Sequence, residues 1–541
     1  MSEVVGAILF DTKSIQRYLF SWTRLKTNIG ASYIVSHVFE DVLVGDVLDK
    51  MYGEKLDGEG WQNPGEMDSL PEGIDCYVAY IGGGNALVLF RDAAEAPLRE
   101  VVRQFTKKLL VTYPGLKTGA ALGKIDLGNF QAGLTELYKQ LKKRQNTEFP
   151  LGNVPYTGLT LSCEINGEAA NGYRRDTEGK RRFASQEVIA KEEKDEEADR
   201  DIIKTFSQYD VDLENFTLPS QLDDLGQKEG ENDIAIIHID GNNMGKRFRS
   251  MTTLQDRSDM SRRIQQKTEW SFAQLLLKLV EESYNGTFDD FLQMESDEKG
   301  RQFLPVRPLI LGGDDVTFIC PGRLSLFLAR YFMKKMASSE GGVPISCCGG
   351  IAILPAAYPF FRGYELAEQL CGAAKAKSRG DDTSCWLDFA ILHGEQAPTL
   401  EQIRQREYAG KLGNMHFGPW RVDDGGNTSA AYLDVLLQGI RAFGAKDMPR
   451  NKVKDLRFAL QGGSHGIRLF LEQFRHTGHE IPKIKGWEMY EASGDLWYGK
   501  DGGDRKTPYI DVIEMMDYVP TKPAMDLLFG LEDEEERSWK E

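Results

Sequence analysis

The stretch Pro308-Leu-Ile-Leu-Gly-Gly-Asp-Asp-Val-Thr-Phe-Ile-Cys320 decides the fold. Two short apolar runs flank a glycine-containing turn, the pattern of a buried β-hairpin. Upstream, Cys76-Tyr-Val-Ala-Tyr-Ile-Gly-Gly-Gly-Asn-Ala-Leu-Val-Leu-Phe90 has the same form, and its Gly82 lies 230 residues before Gly312. Two further matches keep the order and nearly the offset. The run Val5–Phe10 ending at Asp11 corresponds to Ile234–Ile239 ending at Asp240, and Gly119–Gly123 corresponds to Cys348–Ala352, each 229 residues apart. Order and spacing agree together, so the chain reads as an internal duplication.

Helical periodicity fills the gaps. Arg99–Tyr113 and Arg323–Ser338 follow the two hairpins, and Asn129–Lys143 and Tyr364–Ser378 follow the last strands of the two units. Each unit therefore reads β-α-(insert)-β-turn-β-α-β-α. This predicts an α+β fold with two ferredoxin-like palm domains, at 1–150 and 231–395. Between them, at 151–230, the dense mixed-charge stretch Tyr173–Asp201 reads as a solvated helix or mobile loop. Beyond 395 the strand signals fade. Thr428–Phe443, capped by Thr428 or Ser429 and stopped by Gly444, then Lys452–Leu460 and Ile467–Arg475, predict a C-terminal helical domain over 396–541 with an acidic tail, Glu532–Glu536.

Composition bounds the partners. At ~150 residues per domain, 541 residues suggest three to four domains. Hydrophobic residues at 41% supply several cores, so global disorder is excluded. The net charge of −17 argues against a broad basic face coated in nucleic acid, while leaving room for a local basic pocket. No apolar run reaches the ~18 residues of a membrane span, and the first residues lack a secretory pattern. Seven cysteines with no C-x-x-C pair give no disulfide framework and no cysteine zinc site. A cytoplasmic protein is expected.

The chemistry concentrates in the second unit. A Gly312-Gly313 turn lets a ligand approach the backbone closely. Asp314 and Asp315 at the hairpin tip repel one another and call for a hard cation such as Mg²⁺ or Mn²⁺. Asp240 ends the neighbouring strand, and three carboxylates from adjacent strands suit metal-assisted nucleotidyl transfer. The segment Asp240-Gly-Asn-Asn-Met-Gly245-Lys-Arg, with Asn242, Asn243 and Gly245, suits a loop around a triphosphate, although it is not a P-loop. Lys375 and Lys377 close a helix, where they could reach phosphate or simply complement its C-terminus. The first unit has Gly84 and Asn85 in place of the two aspartates and keeps only Asp11. It is expected to bind a nucleotide or to pack, and not to hold the metals.

These residues, together with Ser14-Ile-Gln-Arg-Tyr-Leu-Phe20, Gly30-Ala-Ser-Tyr33 and Pro449-Arg-Asn-Lys-Val453, resemble the large subunit of type III CRISPR effector complexes, the Cas10 family. The resemblance implies ATP as substrate and cyclic or short linear oligoadenylate as product, in antiviral defence. It implies Asp240, Asp314 and Asp315 as metal ligands, Gly312 and Gly313 against the nucleotide, Lys375 on phosphate, and Ser32 in part of a second nucleotide pocket. It further implies effector subunits and guide or target RNA as partners. None of the seven histidines precedes an aspartate, so the His-Asp nuclease domain found at the start of many members is not expected. Cys163-Glu-Ile-Asn-Gly167 keeps one cysteine of the interpalm zinc module with Asn166 in place of a second, and no zinc is expected. Two other readings stay open: a non-catalytic nucleotide-binding scaffold, and a diguanylate-type cyclase using two GTP.

Overall fold

The computed structural model describes residues 3–530 apart from 23, 63, 65–68, 146–157, 177–178, 229, 395–397, 423–428, 447 and 500–504. Two antiparallel-centred sheets carry the duplication. In the first, β1 (Val4–Lys13) is followed by α1 (Ile15–Phe20), α2 (Leu25–Val38), the hairpin β2 (Cys76–Gly82) and β3 (Asn85–Phe90), α3 (Glu95–Thr112), β4 (Lys117–Asp126) and α4 (Phe130–Gln145). The strand order is β2-β3-β1-β4, with Leu56–Asp57 at the β2 edge.

The interpalm region supplies a small hairpin, β5 (Gly172–Arg175) and β6 (Arg181–Ala184), then α5 (Gln186–Glu192) and α6 (Asp195–Ser207). The second palm follows as β7 (Asp233–Gly241), α7 (Met244–Ser250), α8 (Leu254–Tyr284), β8 (Arg307–Gly312), β9 (Asp315–Pro321), α9 (Ser325–Ala337), β10 (Cys347–Pro355), α10 (Phe360–Ser378) and β11 (Trp386–Ile391). Its order is β8-β9-β7-β10-β11, extended by β12 (Trp420–Arg421). The palm sheet thus continues past residue 395, the boundary read from sequence, because the two-residue β12 is too short to leave a periodic signal.

The repeat holds at single-residue register. Asp11 lies opposite Asn85 and Gly119, and Asp240 lies opposite Asp315 and Cys348. Both hairpins bulge at matching places, between Val78 and Tyr80 and between Pro308 and Ile310. Ser14 and Asn243, also 229 apart, both take left-handed backbone (φ 56° and 59°) at the cap of the helix after the first strand. The Thr12 N–H donates to the Gly84 carbonyl at 2.8 Å, as the Gly241 N–H does to Asp314 at 3.2 Å.

The Tyr173–Asp201 stretch is neither a solvated helix nor a loop. It folds as β5, β6, α5 and the start of α6, and it buries charge. Lys191 is fully buried, donates to the Tyr18 carbonyl (2.8 Å) and to Glu187 (2.7 Å), and sits 3.9 Å from the Tyr18 ring centre. The burial of Lys191 was hidden in sequence because the Tyr18 carbonyl and ring that receive it lie 173 residues away. Gly30 makes this docking possible, since a Cβ there would fall 1.7 Å from the Lys191 carbonyl oxygen.

The C-terminal region holds α11 (Leu433–Phe443), α12 (Arg450–Gln461), α13 (Ser464–His476), α14 (Glu488–Ala492), α15 (Tyr509–Met515) and α16 (Lys522–Phe529). The first of these begins after Tyr432, not at Ser429; Gly444 ends it as read. Thr428 and the acidic tail lie outside the described residues. No described helix is long and apolar enough to cross a membrane. A buried polar joint ties α15 to the second palm. His416 lies between Asp388 of β11 (2.8 Å) and Asp511 of α15 (3.1 Å), and Arg404 reaches the same Asp388 oxygen at 3.0 Å. Burial pulls the Asp388 carboxyl upward, but Arg404 and His416 outweigh it and hold the group at about 2. Burial and Arg404 push His416 down, and the two aspartates raise it above its ordinary value.

Two outcomes follow. Gly30→Ala should cost about 1–3 kcal/mol in denaturant melts, as overpacking does. The Asp388 contribution to stability is present above its unfolded value of about 4 and is lost as pH falls towards about 2. The His416 contribution is present below about 6.5 and is lost as pH rises through its higher folded value. Melting temperature against pH should therefore fall on both sides; His416→Gln should flatten the alkaline limb and also weaken the acid limb, because His416 is one of the groups that hold Asp388 down.

Candidate nucleotide and metal site

The central strand β7, Asp-Ile-Ala-Ile-Ile-His-Ile-Asp-Gly, is apolar and buried along most of its length and delivers Asp240 at its end. Asp315 begins β9 directly opposite Asp240, and Asp314 is the second residue of the turn. Gly313, with φ 64°, takes the left-handed position of that turn. In the first palm both turn residues, Gly83 and Gly84, are left-handed. The Asp314 side chain lies over Gly241, since a Cβ on that glycine would fall 3.0 Å from Asp314 Oδ2. Asp240, Asp314 and Asp315 thus come together as the sequence predicts.

Their electrostatics are unfavourable without a cation. Burial, then the charges of Asp240 and Asp314, push Asp315 up to about 7. Burial and the neighbouring Asp240 push Asp314 up in the same way. Asp315 Oδ1 is buried and accepts no hydrogen bond. His238 Nδ1, 3.5 Å from that oxygen, is held down to about 4 chiefly by burial and is neutral at pH 7. Nδ1 lies 3.1 Å from Thr317 Oγ1 instead.

The positive charge that does enter is Lys375, whose Nζ donates to Asp240 Oδ2 and lies 3.4 Å from the Gly241 carbonyl. Burial lowers Lys375, and the Asp240 carboxylate outweighs that and raises it. Its reach depends on Gly350 in β10, where a Cβ would fall 2.1 Å from the Ala367 carbonyl of α10. Among the described residues no three acidic, histidine or cysteine side chains form a ready-made metal cage, and Lys375 occupies one Asp240 oxygen. An orphaned buried carboxylate oxygen beside two further hard oxygen donors fits a divalent cation all the same.

The other sequence candidates separate. Lys377 is exposed and two residues from Lys375, so it projects from another side of α10, towards Lys506 of the C-terminal region. It is not part of the carboxylate cluster. Asn242 is buried and structural: its N–H donates to Ser346 O (2.8 Å) and its amide to Ser384 O (3.0 Å). Asn243 caps α7 and donates to Asp382 at 2.6 Å, and Gly245 is exposed on the same short helix. Ser32 donates to the Leu309 carbonyl of β8, so it ties the first palm to the strand that carries Gly312.

Three contributors were missed. Gln265 of α8 grips the turn with both ends of its amide, donating to Leu311 O (3.1 Å) and accepting from Gly313 N–H (2.7 Å). Thr268 donates to Gly313 O at 2.5 Å. Glu368, two turns before Lys375, adds a fourth carboxyl that Asp315 feels. Both α8 residues sit on a helix whose periodicity shows only that it packs. In the first palm the tip of Ile15 approaches the corresponding position, 2.6 Å from a Cβ placed on Gly84, whose φ of 76° also disfavours an aspartate there.

Residues 233–383 match the family model described as Cas10/Cmr2, second palm domain. A comparison with curated proteins found no match. Among solved structures, Csm1 of T. onnurineus aligns at 13% identity and TM-score 0.46, over 95% of this chain and 69% of that one. An apo Csm1–Csm4 cassette and the same cassette in complex with cA4 each align at 14% identity and TM-score 0.44, over 96% of this chain and 70% of theirs.

Gln265→Ala should loosen the turn and leave Asp314 and Asp315 free to splay. Hydrogen exchange at the Gly313 amide should speed up at least tenfold, with the melting temperature lowered by only a few degrees, since one or two hydrogen bonds contribute about 1 kcal/mol each.

Proposed function

We propose that this chain, which carries a Cas10/Cmr2 second palm domain over residues 233–383, is a divalent-cation-dependent nucleotidyltransferase. It joins ATP into a cyclic or short linear oligoadenylate in a type III CRISPR-related system. The observation that carries the reading is the meeting of Asp240, Asp314 and Asp315 at one strand end, with Asp315 Oδ1 buried and unpartnered. The choice of oligoadenylate as product rests on the resemblance of residues 233–383 to the Cas10/Cmr2 second palm domain.

The residues divide the work as follows. Asp240, Asp314 and Asp315 would hold Mg²⁺ or Mn²⁺, which when bound supplies charge neutralisation at the reacting phosphate and a more acidic 3′-hydroxyl. The 3′-oxygen attacks the α-phosphorus of a second ATP, a new P–O bond forms, pyrophosphate leaves, and the hydroxyl proton passes to a carboxylate or to water. Gly312 and Gly313 present backbone without side chains to the nucleotide. Lys375, whose Nζ reaches Asp240 and the Gly241 carbonyl, would meet phosphate oxygens of the nucleotide. The cap of α7 at Asn243 follows the strand end that carries Asp240, and Lys246 and Arg247 of that helix would add positive charge for the triphosphate. Effector subunits and guide or target RNA are the partners this reading implies.

The Lys375–Asp240 pair also favours a second reading, a nucleotide-binding scaffold that neutralises its carboxylates internally. Incubation of the full chain with Mg²⁺ and each nucleoside triphosphate, with candidate RNA activators and mass spectrometry of the products, separates the readings. Oligoadenylate from ATP, abolished by Asp314→Ala with Asp315→Ala, is expected. Tight ATP binding with no product under any condition would support the scaffold, and consumption of GTP alone would support a diguanylate-type reaction. Without metal, Asp315→Asn should raise the melting temperature at pH 8, because it removes a buried charge repelled by Asp240 and Asp314.

A further inference from the structure

The hairpin β5–β6 presents two unlike faces. On one, Arg174 is buried near Glu192 (3.9 Å), and Arg182 binds Asp176 (3.0 Å). On the other, Tyr173 lies opposite Phe183 and Arg175 lies opposite Arg181. The two rings are 4.8 Å apart and remain 58% and 47% exposed. Solvent contact on that scale is costly for large aromatic side chains, and a pair so placed on a hairpin is an unfilled surface.

The arginines beside the rings are equally available. Arg181 stands 6.0 Å over the Tyr173 ring, and Arg175 donates to the Gly179 carbonyl at 3.1 Å. Among the described residues neither is paired with a carboxylate. The two cross-strand pairs are separated by two residues, about 7 Å along the strands. In a chain of net charge −17, this is a local positive patch beside two exposed rings tilted 38° to one another.

We propose that the outer face of this hairpin binds single-stranded nucleic acid, with bases stacked on Tyr173 and Phe183 and the backbone phosphates paired with Arg175 and Arg181. Charge complementarity selects this occupant: a polynucleotide supplies both π faces and closely spaced anions, which is what the face lacks. Arginine suits phosphate because its planar fork binds two oxygens and also stacks. No group on the face is arranged to read a sugar hydroxyl or a base edge, so RNA and DNA of one sequence should bind alike. A duplex, whose bases are already stacked, should bind more weakly. The site is distinct from the carboxylate cluster and does not rest on the nucleotidyl-transfer reading. A rival occupant, an apolar protein surface, would use exposed Leu159 and Leu161 of the same region.

Fluorescence anisotropy of the full chain with labelled 20-residue RNA and DNA single strands, and with the RNA duplex, tests it. Saturable single-strand binding is expected. Tyr173→Ala with Phe183→Ala should weaken it about tenfold or more without changing its salt dependence. Tyr173→Trp with Phe183→Trp should retain it. Arg175→Ala with Arg181→Ala should lower the slope of log K against log salt by about 1.4, the value for two phosphate contacts on a single strand. Unchanged circular dichroism shows that the variants fold. Failure of the wild-type chain to bind single strands, variants that bind like wild type, or a duplex bound as tightly as the single strand would each overturn the proposal. The first of these would leave the face to a protein partner.

Discussion

Three carboxyl groups meet at the end of one buried strand, and the second palm is arranged around keeping them together. Like charges at that range in a half-buried setting raise the cost of ionisation, which is why Asp315 is pushed up to about 7. The fold restrains them from several sides. Strand pairing fixes Asp240 opposite Asp315. The Gln265 amide and the Thr268 hydroxyl hold the turn. Lys375, brought close by the bare backbone at Gly350, neutralises Asp240.

Comparison within the chain sharpens this. The first palm copies the second at single-residue register, down to the left-handed cap and the backbone bond that closes the turn. What it lacks is the acid pair, and the tip of Ile15 approaches that position. The scaffold of the site and its chemistry are therefore separable. The first palm keeps the scaffold and uses its first helices for contact: Phe20 stacks on Tyr364 of α10 at 4.4 Å, and Tyr18 receives Lys191.

Much of this was legible in the sequence. Apolar runs ending in Asp11 and Asp240, and glycine turns at a constant offset, carry the duplication because strands and tight turns leave short, local signatures. The three acids were legible for the same reason. The interpalm charges were misread because a buried Lys191 and a solvated one have the same local sequence, and the Tyr18 carbonyl and ring that bury it come from α1. Lys377 was grouped with Lys375 by proximity in sequence, although a helix turns two neighbours so spaced to different sides. Gln265 and Thr268 stayed hidden because side chains that grip backbone from a distant helix leave no pattern of their own.

Asp240, Asp314 and Asp315 are proposed as a divalent-cation site. Electron paramagnetic resonance of Mn²⁺ titrated into the full chain at pH 8 measures it most directly. The account predicts saturable loss of the free Mn²⁺ signal with the wild-type chain, and little or none with Asp314→Asn combined with Asp315→Asn. Identical titrations for the two proteins would contradict it.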